Sequence, residues 1–459
     1  MDYREFLKSK QHSSGEFGFK ANYLPDIAFD HQKFIIEKAT KKGRHAIFAD
    51  TGLGKTLIQI SIANNIIRET GKKVLILTPL AVAFQFIKEA EKLGIDDIEY
   101  SKNGKHSKNI VICNYERLHY FNESDFEAVI LDESSILKNF DGAIKSQITT
   151  FVRKIPYRFL STATPSPNDY IELGTSSEAL GYLGYTDMLS RFFKNNQNTI
   201  KGSRAAIANA GSEWYLKPHA EADFWQWVAS WSTSIRKPSD LGFDDKGYDL
   251  PELREINTVV DNDNPLDVEG QMQLFNLPAI NFSEIRAEVR ATIDKRCEIA
   301  VEKASNHDTT VFWVNLNDEA ARIKSLCKDA YEINGKMDID KKEELLMAFS
   351  NGEINKLITK TSITAFGLNW QHCNHTTYFP TYSYEQYYQA IRRFWRFGQK
   401  NPVDVDLILS DGQTRIMESL EVKKAKAIQM HEQLCKNVNS VFAIQLKEFS
   451  QNIINPKFL

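Results

Sequence analysis

The 459-residue sequence is short of several features, and each shortage removes a class of protein. Its five cysteines (Cys113, Cys297, Cys327, Cys373 and Cys435) are odd in number, far apart and never in a C-x-x-C pair, so a disulfide framework is excluded and reduced thiols are expected. No stretch approaches the ~18 uncharged apolar residues that a membrane helix needs. The start MDYREFLKSKQHSSGEF lacks the apolar block of a signal peptide, which predicts a cytoplasmic protein. Neither charge is in excess: 57 Lys and Arg stand against 60 Asp and Glu, a net of -3, so composition alone predicts no nucleic-acid partner.

What is present describes a folded chain. With 42% hydrophobic and 11% aromatic residues it can bury large cores, which argues against disorder, collagen or low complexity. At ~150 residues per domain it holds roughly three domain-sized units, or two carrying an insertion. The charge is unevenly placed. Residues 237–285 hold eleven acids and three bases, a local net of -8, so the rest of the chain is +5 and mildly basic.

Short apolar runs alternate with amphipathic segments through the first 175 residues: Ile47-Phe48-Ala49, Val74 to Leu77, Ile110 to Ile112, Val129 to Leu131, and Phe159-Leu160. Such runs read as buried parallel strands, and the segments between them, at 56–69 and 82–93, as crossover helices. A second series begins near residue 310, with strands at 311–314, 356–359, 377–379 and 403–409 and helices at 317–329, 340–350 and 384–396. The predicted fold class is therefore α/β: a first domain over 1–175, an acidic, aromatic-containing insertion over 176–285, and a second domain over 286–459 ending in a helical tail. Within the insertion, Phe224, Trp227, Val228 and Trp231 fall on one helical face. A buried packing face is the preferred reading of that stripe, and a base-stacking platform the alternative.

Ala49-Asp50-Thr51-Gly52-Leu53-Gly54-Lys55-Thr56 follows an apolar run and opens a helix, the context of a P-loop with Ala in place of the first Gly. Gly52 and Gly54 let backbone N–H groups wrap a phosphate, Lys55 reaches the β and γ phosphates, and the Thr56 hydroxyl ligates Mg2+. An acid at the end of a neighbouring strand is needed for the metal, and Asp132 at the end of Val129-Ile130-Leu131 supplies it. Glu133 beside it is placed to orient or deprotonate an attacking water. ATP and Mg2+ are the expected cofactors.

The motifs resemble those of superfamily 2 nucleic-acid motors. Asp132-Glu133-Ser134-Ser135 and Ser161-Thr162-Ala163-Thr164-Pro165, with Asn168, are similar to motifs II and III. Gln389-Ala390-Ile391-Arg392-Arg393-Phe394-Trp395-Arg396-Phe397-Gly398-Gln399 resembles motif VI of the SWI/SNF-like branch. That resemblance implies two RecA-like domains with ATP between them. Gln32, in Phe29-Asp30-His31-Gln32, would contact adenine, with Phe29 a candidate to pack on the base. Arg393 and Arg396, read as neighbours on one helical face, would stabilise charge on the γ-phosphate. Gly367 belongs to the segment resembling motif V. The same resemblance makes Thr78, Pro79, Asn114, Tyr115, Lys138, Asn334, Gly335, Thr361, Ser362 and Trp370 candidate nucleic-acid contacts. The run Arg236 to Phe243 and the compact size resemble the small variety found in bacteriophages and prophages.

Three positions depart from the branch's pattern: Ser135 where His is common, Thr364-Ala365 where a Gly pair is usual, and Arg392 where Asp is frequent. His372-Cys373-x-His375 suggests zinc only faintly, since no second cluster at ligand spacing accompanies it, and a strand cap is the preferred reading. The expectation is an ATP-hydrolysing, monomeric motor acting on double-stranded DNA without sequence preference. A strand-separating DNA or RNA helicase is the alternative, and a non-catalytic nucleotide-binding scaffold a more distant one.

Overall fold

The computed structural model describes residues 15–80, 82–138, 143–166, 169–195, 214–261, 282–364 and 368–451. The chain divides into two compact units. One comprises the chain up to Thr78, Phe86–Lys246 and everything from Ala427; the other comprises Pro79–Gln85 and Gly247–Lys426.

The first unit contains β1 (Arg44–Ala49), β2 (Val74–Thr78), β3 (Ile98–Tyr100), β4 (Ile110–Asn114), β5 (Ala128–Asp132), β6 (Tyr157–Thr162), a small antiparallel hairpin of β7 (Phe193–Asn195) and β8 (Trp214–Leu216), and β9 (Ser232–Ile235). All but the hairpin form a parallel sheet in the order β3-β4-β2-β5-β6-β1-β9. Its central strands are buried along their whole length. Both faces are covered, so these strands appear in the sequence as unbroken apolar runs. The helices are α1 (Asp30–Lys42), α2 (Lys55–Thr70), α3 (Ala83–Lys92, in this unit from Phe86), α4 (Ala143–Val152), α5 (Leu173–Leu180), α6 (Tyr185–Phe192) and α7 (Glu221–Trp231). Helix α1 begins where the Phe29 N–H donates to Gln32 Oε1 at 3.0 Å and stops at Gly43, whose φ of 67° suits a residue without a side chain.

The expected insertion over 176–285 is corrected by this sheet. Helices α5 to α7 pack into the first unit's core, and β9 pairs in register with β1, Ala46 opposite Ser232 and Ala49 opposite Ile235. Phe224, Trp227, Val228 and Trp231 are all buried, with Trp231 edge-on to Phe48 at 6.0 Å. The stripe is a packing face, because burying so much aromatic area against the sheet is worth several kcal/mol. Residues 196–213 and 262–281 of the expected insertion lie outside the described residues.

The second unit holds β10 (Leu253–Val260), β11 (Thr310–Trp313), β12 (Tyr331–Ile333), β13 (Lys356–Thr359), β14 (His375–Tyr378) and β15 (Val403–Ser410), again all parallel, in the order β10-β15-β14-β11-β13-β12. The edge strand β10 also falls within the expected insertion, and it pairs with β15 along all of its length. Successive β11 residues serve opposite faces: Val311 and Trp313 join one core, Phe312 the other. Helices α8 (Phe282–Ala291), α9 (Ile293–Ala304), α10 (Asn317–Leu326), α11 (Ile339–Ser350), the single turn α12 (Thr361–Thr364) and α13 (Tyr384–Ile391) accompany the strands. The last helix, α14 (Thr414–Gln451), starts in the second unit, where Ile416 and Leu420 meet Ile285, and ends in the first, where Leu434 and Val438 join the core. No described helix is long and apolar enough to cross a membrane.

The five cysteines are buried and unbridged. His375 is set between Thr310 Oγ1 at 2.8 Å and Asp406 Oδ2 at 3.0 Å, with the His307 ring stacked on it at 3.8 Å. Both of its ring nitrogens are thus engaged by neighbouring strands.

Candidate functional site

In the first unit, the loop from Asp50 to Gly54 joins the end of β1 to the start of α2. Gly52 and Gly54 have φ of 91° and 79°, values that a residue with a Cβ adopts only at a penalty of about 1 kcal/mol or more. Gly54 is constrained twice, since a Cβ there would come within 2.2 Å of Gln32 Nε2. The loop is anchored at its entrance by the Asp50 N–H donating to Ile235 O of β9 at 2.9 Å and by the Thr51 N–H donating to Asp50 Oδ1 at 2.6 Å. A helix N-terminus favours an anion, because its first-turn N–H groups have no intrahelical acceptor and its dipole is positive there. Lys55 Nζ lies over this loop, donating to Ala49 O at 2.9 Å and Asp50 O at 3.2 Å.

Gln32 is buried, and its amide is tied to the same loop: Nε2 donates to Leu53 O at 3.1 Å, while Oε1 accepts from the Phe29 N–H. Phe29 is 49% exposed and stacks on His31 at 5.9 Å. Burial moves the His31 pKa downward, which favours its neutral form.

Strand β5 delivers Asp132 and Glu133 beside this loop's helix. Asp132 Oδ1 accepts from Gln59 Nε2 at 2.7 Å, and the Asp132 carbonyl accepts from the Tyr115 hydroxyl at 2.7 Å. Glu133 has a φ of 54°, the one positive value among the described non-glycine residues. Such a conformation is held only where the surroundings over-determine it. Here Glu133 Oε1 accepts from Thr162 Oγ1 at 2.7 Å and Ser135 Oγ at 3.0 Å. The motif II and motif III strings are therefore joined through one carboxylate. Oxygen donors from Thr56 and Asp132 form the kind of set that suits a hard cation such as Mg2+. A further observation fits: Gln59 Oε1, fully buried beside Asp132, meets no partner among the described residues.

In the second unit, helix α13 ends at Ile391, so Arg393 and Arg396 stand in the irregular turn that follows it rather than on a helical face. That corrects the expected helix over 384–396. The turn nonetheless brings the two together: Arg393 Nη1 and Arg396 Nη1 both donate to Leu368 O, at 3.0 and 3.4 Å. Tertiary contacts hold it. The Arg392 guanidinium lies against the rings of Tyr388 and Trp395 at 5.4 and 5.0 Å, and Trp395 Nε1 donates to Pro251 O at 2.7 Å. The Gln399 amide donates to the carbonyls of Gln371, Cys373 and Phe394.

The candidate nucleic-acid contacts divide by exposure. Ser362 and Gly335 are exposed, Pro79 and Lys138 half-buried, and Asn334 caps its own turn by accepting from the Lys336 and Met337 N–H groups. Burial lowers the Lys138 pKa, against the opposing charges of Glu172 and Glu133. By contrast Thr78, Asn114, Tyr115, Thr361 and Trp370 are buried. Tyr115 holds Asp132, Asn114 accepts from the Tyr100 hydroxyl, Thr361 Oγ1 donates to Gln386 Oε1, and Trp370 Nε1 donates to Ser350 Oγ. The side chains of Asn114, Tyr115, Thr361 and Trp370 thus bond within the protein, and the buried Thr78 hydroxyl meets no partner among the described residues. Gly367 and Asn168 lie outside the described residues. Gln59 and the Arg392–Trp395 contact were missed from sequence; the one local signal for Gln59 is its place one turn beyond Lys55 on the same helix face.

Comparison with known proteins agrees with this geometry. Residues 29–173 match the DEAD/DEAH box helicase family, and residues 291–398 match the helicase conserved C-terminal domain. The uncharacterized ATP-dependent helicase YqhH of Bacillus subtilis (strain 168) is 28% identical over 193 residues, 39% of this chain and 34% of that protein. The chain thus matches about a third of the length of this curated relative. A solved structure of S. cerevisiae Dbp5 bound to RNA and ADP BeF3 superposes with a TM-score of 0.53 at 11% identity, covering 88% of this chain and 93% of that one. The shared fold is one of two RecA-like domains.

Proposed function

By its two domains the chain is a superfamily 2 helicase-like enzyme of the ATP-hydrolysing type, which takes ATP with Mg2+, and from that premise we propose that it is a motor coupling ATP hydrolysis to translocation on, or remodelling of, double-stranded DNA. The finer assignment, to the SWI/SNF-like branch and its small bacteriophage or prophage variety, belongs to the same reading. The observation that carries it is the combination of the P-loop with its Ala49 variant, Asp132 and Glu133 at the end of β5, and two arginines of a Q-A-x-x-R-x-x-R-x-G-Q string converging on Leu368 O.

In this reading the loop N–H groups and Lys55 bind the phosphates, and Gln32 and Phe29 face the base. Thr56 and Asp132 would hold Mg2+, which supplies charge neutralisation on the phosphates. Glu133, turned by its left-handed backbone and held by Thr162 and Ser135, orients the attacking water and accepts its proton. Arg393 and Arg396 stabilise charge on the departing phosphoryl oxygens. DNA contact is made mainly through phosphates, so it is salt-dependent and indifferent to sequence.

The test is ATP turnover with and without duplex DNA of increasing length, across a salt series. Turnover should rise with duplex and with its length, and the rise should fade with salt. Equal rates at every length and salt concentration sink the motor reading. Unwinding of a forked DNA or RNA substrate in the same preparation would replace translocation by strand separation.

A further inference from the structure

Gln59 is placed where nothing in the motif set requires it. It lies on α2, four residues past Lys55 and three past Thr56, so the three share one helix face. Its side chain is fully buried, and its two amide ends behave differently: Nε2 donates to Asp132 Oδ1 at 2.7 Å, whereas Oε1 has no partner among the described residues. An ionised carboxylate only accepts, so the end facing Asp132 is the NH2 group and the unsatisfied end is the carbonyl. Leaving a buried amide carbonyl without a donor is costly, because its lost hydration is not replaced. Among the described residues several buried polar atoms are likewise unpartnered, and this one is set apart by its place beside the Asp132 carboxylate.

The surroundings narrow its role. Asp132 is also held through its own carbonyl, which accepts from the Tyr115 hydroxyl at 2.7 Å. The backbone of Asp132 is thus pinned by Tyr115 and its carboxylate by Gln59. We propose that Gln59 is the positioning residue of the Mg2+ site, fixing the Asp132 carboxylate for the metal through Nε2 and offering Oε1 as a hydrogen-bond acceptor to a water held there. The proposal rests on the ATPase reading and deepens it. Partners that orient a metal ligand typically contribute 10–100-fold to metal affinity.

The experiment uses the full-length protein with ADP and Mn2+ as probes. Free Mn2+ is followed by electron paramagnetic resonance during titration of the protein–ADP complex, and binding of a fluorescent ADP is measured separately in EDTA. Gln59→Leu, which keeps the volume and removes both polar ends, should weaken Mn2+ binding by about 10–100-fold while metal-free ADP affinity stays as in the wild type. The Mg2+ concentration for half-maximal ATP turnover should rise by a similar factor, with kcat recovering at saturating Mg2+. If Gln59→Leu fails to fold, Gln59→Asn, polar but one methylene too short to reach Asp132, carries the same expectation. Unchanged Mn2+ affinity in a folded variant overturns the proposal. So does a parallel loss of metal-free ADP binding, which would make Gln59 a support of the loop as a whole. Wild-type protein that neither binds Mn2+ with ADP nor hydrolyses ATP would instead bring down the ATPase reading beneath it.

Discussion

The nucleotide-binding half in the first unit and the arginine turn in the second hold their chemistry in opposite ways. Lys55, Thr56, Asp132 and Glu133 sit at the junctions of regular elements, where β1 passes into α2 and where β5 ends. Arg393 and Arg396 sit past the end of α13, in consecutive turns rather than a continuous helix, kept in place by Arg392 against two aromatic rings, Trp395 on Pro251 O and Gln399 on three carbonyls. Groups on regular elements inherit their geometry from the backbone, whereas groups on a turn depend on each contact that braces it. The first half should therefore tolerate changes around it and the second should not.

The largest effects should come from the reacting groups in both halves. Lys55→Ala, Glu133→Gln and Arg396→Ala are each expected to lower ATP turnover by on the order of 10³-fold, read in a coupled assay at saturating ATP. A fully active Arg396→Ala would remove the turn from the reaction altogether. Next comes the bracing of the turn. Arg392→Ala and Trp395→Phe should lower kcat by about 10–100-fold, since a displacement of about 1 Å can cost that much, while KM for ATP changes little. If kcat holds and only thermal stability falls, the turn is no more dependent on its braces than the P-loop is.

A smaller effect separates stability from chemistry. Burial moves the Lys38 ammonium of α1 down to about 7, with the neighbouring Lys42 adding to the shift. Above that value the folded state releases a proton that the unfolded chain keeps until about 10.4. The unfolded state then binds more protons, and stability rises with pH between those limits. The melting temperature should climb from pH 7 to pH 10, and Lys38→Met should flatten that slope. The smallest effect is expected outside both halves. The exposed acids Asp249, Glu252 and Asp261, changed together to Asn, Gln and Asn, should leave ATP hydrolysis unaltered. If duplex affinity also stays unchanged, the acidic stretch does not shield the DNA path.

The regular half was the legible one. A strand buried on both faces shows itself as an apolar run, and β2, β4 and β5 were found for that reason. Strand β9 has the opposite character. Ser232, Thr233 and Ser234 are all fully buried, yet read as loop or insertion because their hydroxyls find partners: Ser232 on Val228 O, Thr233 with His45 and Ser234 with Cys435. Burial of polar residues is affordable only when such bonds are made, and the partner Cys435 lies 201 residues away. Strand β10 escaped for a related reason, since an edge strand with mostly exposed residues carries no apolar run. Tyr115 looked like a strand contact by its motif and became a clamp on Asp132, because a buried hydroxyl must find an acceptor.

What the sequence alone determined is what depends on near neighbours: the α/β alternation, the glycines at positive φ, the helix opening at Lys55, and the side chains three and four residues apart on its face. Tertiary structure alone decided which far-apart residues share an atom. Gln59 meets Asp132 across 73 residues and Arg396 meets Leu368 across 28. Such pairings follow from how sheets and turns close, and a local pattern holds no record of them.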